Sequence, residues 1–361
     1  MNEVMNGKVA VVGAGVAGIA AATVLRREGI ETDVFEKEES PGGHLRKWHA
    51  LFPGRNEAPV VLEGLLKEID LHRLSLRLNS EVTTMTRENG SFRITTANGV
   101  DNTYAAVVFA AGFTLFDATR KEEYGYGIYQ RVITSADLEH RFSDGGDGLL
   151  IQGKHPGRVA FVHCVGSRDA KVGNHYCSRV CCITGVKQAI AVKEAYPGCE
   201  VFNFYMDLRM FGSGYEELYQ EAQEKFGITF IRGRVSEAAQ NMDGTVVLKA
   251  EDTLLGRPLK VTADWLVLLV GMEPDPRNGQ LVKSAGVGFD QAGFLEGSDK
   301  FLKPGVTAAD GVFIAGACGG PASIPEAVNQ GRAVAFSVLR YLNGKMRSEE
   351  RRVGKECRSR W

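Results

Sequence analysis

The run Gly13-Ala14-Gly15-Val16-Ala17-Gly18, directly behind an apolar stretch at residues 8–12, constrains this chain more than any other feature. Between a strand and a helix, the first glycine of a G-x-G-x-x-G pattern makes a tight turn and the second lets the backbone approach a pyrophosphate. The third allows close helix–strand packing. The helix amino terminus then faces the phosphate charge. Helical periodicity through Ile19, Ala22, Leu25 and Arg26 stops at Gly29, a left-handed cap, and residues 32–36 read as a second strand. Glu36 ends that strand at the distance expected of an acid that binds a ribose hydroxyl. Together these features predict a βαβ dinucleotide-binding unit in an α/β protein.

Alternating segments follow at 81–86 and 91–97, with an Asn98-Gly99 turn before a strand at 103–110. A second α/β unit is predicted from a strand at 158–164, a helix near 183–195 and a strand at 200–205. Ile183, Val186 and Ile190 share one face of that helix. The apolar strand 265–270 ends at Gly271-Met272-Glu273-Pro274, read as the return to the first domain. A last strand at 311–314 leads into Gly316-Ala317-Cys318-Gly319-Gly320 and a helix at 325–342. The expected organisation is therefore one domain from 1–114 and 272–346, with a second domain at 115–271. Residues 347–361, RSEERRVGKECRSRW, look like a translated adapter and are set aside as a non-native tail.

A formal charge of −1 gives no reason to expect nucleic acid as a partner. No apolar run approaches the roughly 20 residues needed to span a bilayer, and the first strand begins too early for a signal peptide. The expectation is a cytoplasmic protein, a setting in which clustered cysteines favour metal or redox chemistry over structural disulfides.

Four cysteines are clustered in this way: Cys164, Cys177, Cys181 and Cys182, spaced C-x12-C-x3-C-C. Cys164 ends a predicted parallel strand, the edge at which such sheets place ligands. The other three lie in the loop beyond it and at the start of a helix, where Arg168, Lys171, Arg179 and Lys187 would stabilise thiolates. Four soft thiolates suit an iron–sulfur cluster. A redox dithiol remains open, although Cys177 and Cys181 are too far apart for C-x-x-C, and so does a structural set. Tetrahedral zinc usually takes paired knuckles rather than adjacent ligands.

Gly13–Gly18, Glu36 and Ser40-Pro41-Gly42-Gly43-His44, with the distal 312–316 strand and turn, resemble the two-dinucleotide-binding-domain flavoproteins such as thioredoxin and glutathione reductases. Ala110-Ala111-Gly112 resembles their crossover into the second domain. The resemblance implies FAD in the first domain. Its contacts would be Gly13, Ala14, Gly15, Ala17, Gly18, Glu36, Lys37, Gly42, Gly43, His44, Val82, Ala111, Gly112, Gly316, Ala317 and Cys318. Ala317-Cys318 stands where that family carries Asp. No G-x-G-x-x-G follows the first strand of the second unit, which weakens a pyridine-nucleotide site there.

Residues 163–169 and 176–182, with 205–216 and 316–325, are similar to the flavin-bearing A-type subunits of heterodisulfide reductases and related complexes. That resemblance implies a 4Fe–4S cluster on Cys164, Cys177, Cys181 and Cys182. The amino-terminal cluster domain and ferredoxin insert of the long members are missing from this sequence, which favours the short members. The expected function is an FAD- and 4Fe–4S-containing electron-transfer subunit. Its partners would be other subunits of a heterodisulfide-reductase-like complex, with a homodimer allowed and no membrane insertion. The rivals are an NAD(P)H-dependent thiol–disulfide flavoreductase using Cys181 and Cys182, and an assembly subunit with structural flavin. Cys318 reads as a packed thiol ahead of a flavin-coupled one. Cys199 reads as structural, and Arg209 as structural or close to a cofactor.

Overall fold

A computed structural model describes residues 7–143 and 148–358, and divides the chain into two compact units. The first comprises Met1–Leu45, Leu62–Thr114 and Pro274–Trp361; the second comprises Arg46–Val61 and Leu115–Glu273.

In the first unit, Val9–Val12 is the middle of a five-stranded parallel sheet. The strands run in the order Val312–Ile314, Ala106–Phe109, Val9–Val12, Thr32–Phe35, Ser75–Arg77. Successive side chains alternate between its faces. Val9, Val11 and Val108 pack against the helices Val16–Arg27 and Ile324–Arg358. Ala10, Val12 and Phe109 pack on the opposite side with residues of an antiparallel meander, Val82–Glu88, Ser91–Thr96 and Asp101–Tyr104. Burial on both faces explains the unbroken apolar strands. The segment read as one strand at 103–110 is two, split at Ala105. The last helix extends past the expected residue 342 to Arg358.

The second unit repeats the plan. Its parallel sheet has the order Thr229–Arg232, Glu200–Tyr205, Arg158–Val165, Trp265–Val270, Val132–Thr134. One face packs against the helices Ser135–Phe142 and Cys181–Ala195. The other packs against the meander Val235–Gln240, Val246–Asp252, Arg257–Ala263. Pairing of Arg158–Val165 with Trp265–Val270 slips between Val162 and Val165, where Cys164 takes a left-handed φ of 60°. That irregularity places Cys164 with Val159 and Phe161 on the helix-covered face.

Arg46–Val61 groups with the second unit rather than with the first domain, as the sequence division had it. Its His49 and Ala50 N–H groups donate to the Glu139 carboxylate, Lys187 donates to Ala50 O, and Phe52 meets Tyr215 edge-on. Among the described residues, no helix is long and apolar enough to cross a membrane.

Candidate functional site

In the first unit the glycine turn is built for a ligand in front of a helix. A Cβ on Gly13 (φ +105°) would lie 2.4 Å from Ala110 O, and one on Gly18 would lie 1.9 Å from Gly13 O. Gly15, by contrast, has nothing within 4 Å of that position. It is the N-cap of Val16–Arg27, with no side-chain cap and no acid in the first turn. Such an uncapped helix end suits a pyrophosphate. Glu36 is buried; Oε2 accepts from Ala14 N at 2.8 Å and Oε1 from Glu38 N at 3.1 Å. Each oxygen keeps a second lone pair for a ligand hydroxyl.

Ala14 O accepts from Gly42 N, and Gly43 comes within 3.3 Å of Gly15 Cα when given a Cβ, so the 42–43 turn closes over the first. His44 stacks on Phe113 at 4.2 Å, with Nε2 3.0 Å from Phe113 O. Lys37 lies 3.7 Å from the Asp275 carboxylate, and Val82 is in the core beside Met85. Gly112 has open space where a Cβ would point. Gly316 N donates to Gln330 Oε1, a positioning contact with no sequence signal. Ala317 is buried, and the Cys318 thiol donates to Phe109 O and Ala315 O. Burial pushes that thiol up to about 11, which makes Cys318 a packed thiol.

In the second unit the cysteine loop concentrates strain. Cys164, Arg168 and Arg179 all adopt positive φ, costly for side-chain-bearing residues and common at functional loops. Cys181 and Cys182 are the first two residues of Cys181–Ala195, two positions earlier than the sequence placed its start. Cys164, Cys181 and Cys182 are all buried free thiols. Cys181 hydrogen-bonds to both neighbours, which lowers the Cys164 and Cys182 pKa values; those contacts and burial raise its own. Cys177 is half-buried, and its sulfur accepts from Arg179 N at 3.3 Å.

Arg168 is the expected cation that interacts with both Cys164 and Cys177. It also pairs with Asp207 at 2.7 Å. Lys187 is not directed to the thiolates as the sequence reading supposed. It is buried in an ion pair with Glu139, to which Gln188 also donates at 2.6 Å. Lys171 is exposed, and the Arg179 guanidinium lies over Phe211. Arg209 approaches Cys182 through its backbone N–H, and the Asp207 carbonyl accepts from the Cys182 thiol at 3.7 Å.

Three buried polar atoms around Cys164 have no hydrogen-bond partner: His163 Nδ1, Ser167 Oγ and Arg168 Nη1. Buried donors are rarely left this way. A sulfur-rich anionic group bound by the cysteines would supply acceptors, so the donor set fits an iron–sulfur cluster. Among the described residues, no three His, Cys, Asp or Glu side chains converge as a ligand shell for a metal ion. A cluster differs from a single ion in spreading its thiolates over several irons.

The turn after Arg158–Val165 is filled by protein. A Cβ on Gly166 would fall 2.0 Å from the Phe116 ring. Asp169 is buried and held by Lys121 at 2.7 Å and Arg234 at 2.9 Å.

Residues 11–63 match the NAD(P)-binding Rossmann-like domain family, and residues 181–331 match the pyridine nucleotide-disulphide oxidoreductase family. The thioredoxin reductases of T. acidophilum (21% identity, TM-score 0.64, 94% of this chain and 98% of that one) and Lactococcus lactis (17%, 0.64, 94% and 100%) share the fold. The architecture is thus a two-domain dinucleotide-binding α/β fold whose first domain is split in sequence.

Among curated proteins, the chain is similar to the A-type iron-sulfur subunit of the CoB–CoM heterodisulfide reductase of Methanocaldococcus jannaschii. Identity is 45% over 238 residues, covering 64% of this chain and 36% of that protein. It is also similar to the A-type subunit of the ferredoxin/F420H2-dependent CoB–CoM heterodisulfide reductase of Methanosarcina acetivorans. There, identity is 30% over 427 residues, covering 94% of this chain and 54% of that protein. The chain therefore spans between a third and just over half of these relatives.

Proposed function

Starting from homology to the A-type subunits of CoB–CoM heterodisulfide reductases, we propose that this chain is a flavin-dependent oxidoreductase subunit that carries FAD in its first unit and a 4Fe–4S cluster in its second. The observation that carries this reading is the buried contact set Cys164–Cys181–Cys182, flanked by donors that lack acceptors, at the end of a central parallel strand. When bound, FAD exchanges electron pairs and the cluster single electrons, so the two connect a two-electron carrier to a one-electron path.

The chain's own residues do the rest. Gly13, Gly15 and Gly18 admit the pyrophosphate to the helix amino terminus, and Glu36 accepts from the ribose. The 42–43 turn, His44, Ala111, Gly112 and the 316–318 turn would hold the rest of the flavin. Cys164, Cys177, Cys181 and Cys182 hold the irons, and Arg168 balances the charge of the thiolates.

The filled turn at Gly166 opposes a pyridine-nucleotide site in the second unit, and with it the NAD(P)H-driven thiol reductase. The partners are other subunits of a heterodisulfide-reductase-like complex. The lack of a membrane-crossing helix among the described residues fits a cytoplasmic assembly. Replacing Cys164, Cys177, Cys181 or Cys182 by serine, one at a time, tests the assignment. Each variant is expected to lose iron and the broad visible absorption while keeping flavin; a variant set with unchanged iron would refute it.

A further inference from the structure

We propose that His163 tunes the cysteine-bound centre by donating a hydrogen bond from Nδ1 to the Cys182 sulfur; this rests on the iron–sulfur reading above. His163 is 6% exposed, and its ring reaches the Cys182 sulfur. The other ring nitrogen is anchored: Nε2 lies 2.9 Å from Oδ1 of Asn203, a fully buried residue. Neither His163 Nδ1 nor Asn203 Nδ2 has a hydrogen-bond partner.

A half-turn of the Asn203 amide sets its NH2 against Nε2 and leaves the neutral ring protonated on Nδ1. With the amide as placed, an imidazolium presents the same donor. A ligating thiolate is the acceptor that this buried N–H lacks.

The helix that carries Cys182 is shaped around the ring. Gly185 lies inside Cys181–Ala195, where glycine is a poor helix former. A Cβ there would fall 2.9 Å from Cε1 and Nε2 of His163 and 2.4 Å from Leu269 Cδ1. Any larger residue there would force the imidazole or Leu269 to shift. Space, anchor and orphaned donor therefore coincide at one ligand of the four.

A hydrogen bond to a ligating sulfur disperses its negative charge and favours the reduced centre, so the donor raises the reduction potential. The test is a dye-mediated titration of the anaerobically purified full chain, followed by EPR. H163L is expected to retain iron and sulfide but to show, at the parent midpoint, about a tenfold lower ratio of reduced to oxidised centre. For a one-electron couple this is a shift of about 59 mV to lower potential. An unchanged midpoint with iron retained overturns the proposal. If H163L fails to fold or loses iron, N203L decides by the same readout, because it removes the anchor and keeps the ring. A lowered midpoint there supports the role, and an unchanged one overturns it. Parent protein without iron or sulfide sinks the cluster reading itself, and this inference with it.

Discussion

Glu139 and Lys187 form a charged pair inside the second unit, 3% and 6% exposed at their side chains. Glu139 also accepts from Gln188 Nε2 and from the His49 and Ala50 N–H groups; Lys187 also donates to Ala50 O. The E139Q substitution keeps the volume and leaves the ammonium buried without its counter-charge. Removing one member of a buried pair typically costs about 3–5 kcal/mol. For a folding unit of 150–250 residues each kcal/mol shifts Tm by about 2–4 °C, so E139Q should melt about 6–20 °C below the parent.

The assay is thermal unfolding followed by far-ultraviolet circular dichroism at fixed pH and salt. The double variant E139Q/K187M should recover part of the loss, because groups in contact couple by about 0.5–3 kcal/mol. Melting of E139Q within about 2 °C of the parent would refute the claim that this pair secures Arg46–Val61 to the helix bearing Cys181 and Cys182.

G18A places a methyl 1.9 Å from Gly13 O and should yield protein with little bound flavin, measured by released flavin after ultrafiltration. Cys199 and Cys318 are each raised to about 11 by burial, so they remain thiols at pH 8, with a thiolate fraction of roughly 0.1%. Both should escape iodoacetamide in the native protein at pH 8, as read by peptide mass spectrometry, and should react faster as the pH is raised toward 11.

Much of this was legible in the sequence because it obeyed short-range rules. The glycine turn, the strands around it and the 200–205 and 265–270 strands follow local periodicity. The helix Ala58–His72 and the meander Val235–Gln240, Val246–Asp252, Arg257–Ala263 were not anticipated; of the helix's many apolar residues only Ala58 is buried, so its pattern does not mark one core-facing stripe. What sequence could not reveal is which distant partner claims a polar group. Lys187 read as a thiolate-stabilising cation, yet Glu139, 48 residues away, holds it. The same carboxylate draws Arg46–Val61 into the second unit. Asn203 carried no signal at all, because its role exists only once Glu200–Tyr205 pairs with Arg158–Val165 and sets it against His163.

The most direct test of the account is to purify the chain under strict anoxia and quantify flavin, iron and acid-labile sulfide, then record EPR after dithionite reduction. About one flavin with about four irons and four sulfides per chain, and a signal from a reduced cluster, are expected. Flavin without iron and sulfide, and a silent spectrum, would contradict the account.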